Sequence, residues 1–148
     1  MDFTTFNERL KKVISNFDSI VLESAMEVES SIVDLQVKQL EEGKTYKDQP
    51  IKPAYRSDVY ATTKKAIGAK PPKGTPDLKL TGDFHSGIYA NYYKGAKVIE
   101  TFSKDEKAPR LTEKYKDIWG LTKKNQAELN KEIEPVLQKR LKNELLTS

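Results

Sequence analysis

The chain has 148 residues, with 26 Lys/Arg against 22 Asp/Glu and a formal net charge of +4. That length fits one domain, and the mean hydropathy of −0.70 is polar for a globular one, although five Phe, seven Tyr and one Trp argue against full disorder. The absence of Cys excludes a disulfide framework and thiolate metal sites, and no stretch approaches the roughly 20 apolar residues of a transmembrane helix.

The start, MDFTTFNERLKK, has no basic region followed by an apolar run, so no signal peptide is expected and the chain reads as soluble and intracellular. Residues 1–42 read as one long helix. Phe6, Leu10, Val13, Phe17, Ile20, Val21, Met26, Val28, Ile32, Leu35 and Leu40 fall mostly three or four apart, and Gly43 follows as a stop. Thr4 or Thr5 would cap its start, with Glu8 at capping-box spacing from Thr5. At about 1.5 Å per residue it would span roughly 55 Å. The remaining residues cannot cover that length, so the helix either breaks, with Ser30-Ser31 the expected place, or packs on partners.

Pro50 and Pro53 make residues 43–58 an irregular arm. Ser57 or Asp58 then caps a short helix over residues 59–67, closed by Gly68, and a Pro/Gly linker leads to residue 76. Residues 77–104 are the β region. Alternating runs at 88–93 and 97–102 flank Lys94-Gly95-Ala96, which reads as a hairpin. From residue 105 the chain returns to helix. Pro109 suits a first turn, Gly120 a break, and Thr122 the cap of a last helix carrying Ala127, Leu129, Ile133, Val136, Leu137, Leu141 and Leu145. Pro135 lies inside that stripe and is expected to kink or divide it. The fold class is therefore α+β, one domain over 1–148, with a long N-terminal helix, a short helix, a β-hairpin or small antiparallel sheet, and a C-terminal helix.

Charge is unevenly placed. Residues 1–42 hold four Lys/Arg against nine Asp/Glu, residues 43–103 eleven against five, and residues 104–148 eleven against eight. The acidic first segment and basic middle either pair, within the chain or across subunits, or form two solvated faces of opposite sign. The middle segment includes Lys64, Lys65, Lys70 and Lys73, interleaved with tyrosines at 46, 55 and 60. These are candidate DNA-facing cations, or a solvated lysine-rich surface.

Catalytic chemistry is thinly represented. The single histidine, His85, stands near Asp83 and Ser86, but three near neighbours in sequence rarely reach triad geometry, and a structural turn is the plainer reading. With one His and no Cys, no metal-binding spacing occurs, and the prolines between Gly68 and Gly74 remove amides that a phosphate loop would need. No catalytic, metal or cofactor residues are assigned. The expected role is that of a structural building block and not an enzyme.

The stretch Pro76-Asp77-Leu78-Lys79-Leu80-Thr81-Gly82-Asp83-Phe84-His85-Ser86-Gly87-Ile88 resembles the Leu-x-x-Thr-Gly-x-hydrophobic segment of tailed-phage virion-morphogenesis and tail-completion proteins, which join head to tail. The later run of Ala108-Pro109-Arg110-Leu111, followed by Ile118-Trp119-Gly120-Leu121-Thr122, is similar to that family's ending before its C-terminal helix. The family's Tyr-Ala segment is only loosely echoed by Tyr89-Ala90-Asn91-Tyr92-Tyr93-Lys94-Gly95. The resemblance implies a neck subunit, a head–tail connector or tail-completion protein assembling as a ring between portal and tail. It would reside in the virion after assembly in the host bacterial cytoplasm. Its motif and turn residues would be Leu80, Thr81, Gly82, Phe84, Gly120 and Leu121. Its partners would be copies of itself and other neck, portal or tail proteins, with non-specific DNA contact and no membrane. A small basic nucleic-acid-binding protein of a prophage is the alternative.

Overall fold

The computed structural model describes residues 1–55, 58–68, 74–79 and 82–147. Among them are seven helices and one two-stranded antiparallel sheet, an α+β architecture. Leu80, Thr81, Lys70 and Lys73 lie outside the described residues, as does Ser57, one of the two expected caps.

The expected single helix over 1–42 is three helices: α1 (Phe3–Ser15), α2 (Phe17–Glu27) and α3 (Glu29–Glu41). The breaks fall at Asn16 and Val28, while Ser30 and Ser31 sit in the first turn of α3. Both break residues carry φ near −110°, and the Asn16 amide is shared between the carbonyls of Lys12 and Val13. An Asn, which competes for backbone bonds, and a β-branched Val are poor helix formers, so these positions yield first when the chain must change direction. The change matters for packing. α1 and α2 lie along the C-terminal helix, whereas α3 underlies the hairpin. The cap of α1 is also not Thr4 or Thr5 but Asp2, whose carboxylate accepts from the Thr5 amide at 2.7 Å.

Gly43, at φ 71°, ends this helical run as expected. The arm that follows closes on itself through the Ile51 amide, which donates to the Gly43 carbonyl at 2.8 Å and buries Ile51. Helix α4 (Asp58–Ala66) stops before Gly68, at φ 95°. The β region begins later than expected. A one-turn helix α5 (Asp83–Ser86) precedes strands β1 (Ile88–Tyr93) and β2 (Val98–Ser103), paired so that Ile88 faces Ser103 and Tyr93 faces Val98. Gly82, in the left-handed region at φ 89°, opens that turn, so residues 83–86 coil within the segment read as the β region and form the structural turn expected around His85. Helix α6 (Ala108–Lys114) carries Pro109 in its first turn. Helix α7 (Lys123–Leu146) starts on Thr122, whose hydroxyl accepts from the Asn125 amide at 3.2 Å. It runs undivided through Pro135.

Two apolar clusters hold this together. Leu40, Ile51, Phe84, Ile88, Ala108, Tyr115 and Ile118 form the larger one, beneath the inner end of the hairpin. Ala25, Ile32, Ala90 and Ile133 form the smaller, where α2, α3, β1 and α7 meet. The hairpin is thus stabilised by the helical layer under it, as an isolated two-stranded ribbon must be.

Candidate functional site

Three places on the molecule concentrate polar chemistry or exposed apolar surface. The first is a buried polar cluster around the Thr-Gly segment. Lys64 of α4 and Asp77 are almost wholly buried, with the ammonium 2.9 Å from Asp77 Oδ1. The same oxygen accepts from the Lys79 amide at 3.0 Å and lies 3.4 Å from the Tyr55 hydroxyl, while the Lys64 ammonium also donates to the Lys79 carbonyl. Leu78, between them, holds a left-handed φ of 60°, which turns Asp77 and Lys79 toward the ammonium. Lys79 reaches out to Glu41 of α3 at 3.0 Å. Burial, and then the neighbouring Asp77 carboxylate, push the Tyr55 phenol well above its ordinary pKa, so it stays a donor.

His85 belongs to this cluster and not to a triad. Its Nε2 lies 2.8 Å from the Asp77 carbonyl, which can only accept, so Nε2 carries the proton. The buried Nδ1 has no hydrogen-bond partner among the described residues. Ser86 Oγ donates to the Asp83 carbonyl at 3.1 Å and leaves the imidazole alone. Burial holds the His85 pKa below its ordinary 6.5, more strongly than the Asp77 carbonyl and nearby carboxylates raise it. Protonation would add a second buried N–H with no acceptor. Between the lowered folded-state pKa and 6.5 the unfolded chain therefore binds more protons than the folded one, and stability falls as pH drops below 6.5. Urea unfolding of the wild type and a His85→Gln variant should show this as a pH slope present only in the wild type. Parallel slopes would refute it.

This cluster ties α4, α5 and residues 76–79 together. A cleft of about 180 Å³ beside it is lined by Tyr55, Tyr60, Leu78, Lys79, Phe84 and Tyr115, among others, but not by Lys64, Asp77 or His85. The charged groups are thus sealed from it, and their arrangement is that of a structural latch. Lys64, expected among the DNA-facing cations, is therefore corrected to a buried, ion-paired residue. Lys65 is exposed. Among the described residues no group of three or more His, Asp or Glu could hold a metal ion, and no helix is long and apolar enough to cross a membrane.

The second place explains Gly120 and Leu121. The side chain of Gln36, fully buried in α3, donates to the Ile118 carbonyl at 3.0 Å and accepts from the Gly120 amide at 2.9 Å and the Thr101 hydroxyl at 2.8 Å. One turn on, Gln39 donates to the Gly120 carbonyl and accepts from the Thr122 amide, both at 2.9 Å, and from the Asn125 side chain at 3.1 Å. Gly120 sits at φ 108°, and a Cβ there would lie 3.3 Å from Tyr46 Cβ, so conformation and space both favour glycine. Phe84 and Phe102 pack on Trp119 at centroid distances of 5.6 and 5.3 Å, and the Trp119 indole donates to Thr112. The motif residues Gly82, Phe84 and Gly120 thus shape the fold. Gln36 and Gln39 were not singled out in the sequence. Their signal is position: both fall on the inward stripe with Ile32 and Leu40.

The third place is an open apolar groove of about 780 Å³ on which Leu121 borders. Its walls are residues 99–102 of β2 on one side and 119–121 with Leu129 and Ile133 of α7 on the other, with Val21, Leu22, Ala25 and Ile32 beneath. The Lys104 amide donates to the Gly87 carbonyl at 2.9 Å. Alternation from that bonded pair makes Tyr89–Phe102 and Asn91–Glu100 the hydrogen-bonded pairs, so the amides and carbonyls of Ile99 and Thr101 point away from β1. Among the described residues no backbone hydrogen bond outside the hairpin engages Ile99 or Thr101. The groove thus runs beside an open strand edge.

Comparison of the chain with protein-family models, with curated proteins and with solved structures gives no match.

Proposed function

We propose that this chain is a structural virion protein of a tailed-phage neck, a head–tail connector or tail-completion subunit assembling as a ring between portal and tail. The observation that carries the assembly half of this reading is the open β2 edge beside the apolar groove. A strand edge with free amides next to apolar walls is a template for pairing with another chain, and proteins that stay alone blunt or cover such edges. Exposed Phe3 and Ile14 of α1, Phe17 of α2 and Leu146 of α7 add apolar surface that one copy leaves in water. The neck assignment itself rests on the resemblance of residues 76–88 and 108–122 to the tail-completion family. In a ring, each copy offers one surface to the neighbour ahead and a different one to the neighbour behind.

Light scattering behind size exclusion, over a range of concentrations, is the test. The expected result is a concentration-dependent closed oligomer, and electron microscopy of virions should place it at the neck. A strict monomer at every concentration, with no ring in virions, refutes the proposal. The second reading, a basic DNA-binding protein, is favoured by one observation: exposed Lys107, Arg110, Lys114, Lys116, Lys123 and Lys124 on α6 and the start of α7. A gel shift with duplex DNA at low salt, where electrostatic binding is strongest, decides that reading.

A further inference from the structure

Lys107, the cap of α6, lies three residues before Arg110 and seven before Lys114, which puts three exposed cations on one side of this short helix. Lys116, Lys123 and Lys124 continue the exposed basic surface around the Gly120 turn. Among the described residues none of these six makes an ion pair. The acidic counterpart lies on α2 and α3, where residues 16–42 hold seven Asp/Glu against the single Lys38. Among the described residues, ion pairs of this segment go to Arg140, which spans Glu23 and Glu27, to Lys79 from Glu41 and to Lys44 from Glu42. None goes to residues 104–124. Exposed Asp18 and Asp34 and half-buried Glu29 remain without an ion pair among the described residues. The fold therefore leaves cations on and around α6 and carboxylates on α2 and α3 without ion-pair partners among the described residues, Asp18 and Glu29 standing in the first turns of α2 and α3.

Resting on the assembly reading above, we infer that the α6 face of one copy docks on the acidic α2–α3 surface of a second copy, head to tail. Both halves of the contact are present in the same chain, and unlike surfaces that meet this way propagate or close into a ring. A polyphosphate is the poorer occupant. Glu106 and Glu113 are exposed beside the cations, which suits a protein face of mixed charge and repels a uniform polyanion. The contact steers and orients, while the apolar groove supplies area.

The experiment uses the full chain in three charge-reversed forms. One carries Lys107→Glu, Arg110→Glu and Lys114→Glu, the second carries Asp18→Lys, Glu29→Lys and Asp34→Lys, and the third carries all six. All positions lie at or near the surface, and circular dichroism checks that each form is folded. Each triple variant alone is expected to self-associate at least tenfold more weakly than the wild type. An equimolar mixture of the two, and the six-fold variant, should regain association, because each restores an unlike pair of faces. Wild-type association should also weaken as salt shortens the screening length from about 10 Å at 0.1 M to about 3 Å at 1 M. A wild-type oligomer indifferent to both triple reversals overturns this contact and leaves the assembly reading standing. A wild-type chain that is monomeric throughout overturns both. Loss of a low-salt DNA shift in the Lys107/Arg110/Lys114 variant, with its oligomer intact, overturns the contact in favour of nucleic acid.

Discussion

A Gln36→Leu variant is expected to lose about 3–5 kcal/mol of stability. The substitution keeps the bulk but removes three hydrogen bonds at once, to the Ile118 carbonyl, the Gly120 amide and the Thr101 hydroxyl. The hydroxyl can rotate to another acceptor. The backbone amide and carbonyl cannot, and each buried group left unsatisfied costs roughly 1–3 kcal/mol. Small domains carry only about 5–15 kcal/mol in total, so the loss is a large share of the whole and should move the urea midpoint far down. Gln39→Leu should behave similarly but more mildly, and the double variant should lose less than the sum, because both glutamines hold Gly120. Urea unfolding followed by fluorescence of the sole tryptophan, Trp119, reads the 118–122 turn directly. A loss below about 1 kcal/mol for Gln36→Leu would show that water replaces the glutamine and that the turn does not depend on it.

That glutamine pair marks where the sequence stopped being informative. Elements specified by neighbours in the chain were legible. The hairpin followed from two alternating runs around Lys94-Gly95-Ala96, and the last helix from Thr122 and its apolar stripe. The short helix was closed by Gly68 at a left-handed φ that glycine tolerates. Elements specified by distant contacts were not legible. Nothing local distinguishes Asn16 and Val28 from other weak helix formers as the break points. Those positions are chosen because α1 and α2 follow α7 while α3 turns beneath the sheet. Gln36 and Gln39 carry only the signal of their place on the inward stripe, and a turn some 80 positions later supplies their partners. The candidate groove was invisible for the same reason, since its walls come from α2, α3, β2, the 119–121 turn and α7. Of the two outcomes expected for the long helical run, breaking or packing on partners, the fold shows the break, and the hairpin finds its support in α2 and α3 of the same chain.

Lys64 makes the same point with a charge, and its removal is the second large effect. In sequence it is one of two adjacent lysines. In the fold it lies three residues after buried Ala61, on the same face of α4, and points into the protein while Lys65 points out. Lys64→Met fills the same space and leaves the Asp77 carboxyl group without its cation in a nearly sealed site. Among the described residues the Asp77 side chain keeps the Lys79 amide and the Tyr55 hydroxyl as hydrogen-bond partners. Breaking a buried pair in this way costs about 3–5 kcal/mol, mostly the penalty of the charge left behind and not the worth of the pair. Asp77→Asn alone should be costly for the mirror reason, since it strands a buried ammonium. The double variant Lys64→Met/Asp77→Asn removes both charges and keeps an amide oxygen for the Lys79 amide and the Tyr55 hydroxyl. It should recover all but about 1 kcal/mol of the wild-type stability. Urea or thermal unfolding of the four proteins closes the cycle. If the two single losses simply add in the double variant, the ion pair is not coupled and the latch reading of this cluster fails. If the double recovers, the charges at 64 and 77 set how α4 docks against residues 76–79, and Lys64 acts through its buried ion pair and not through the surface.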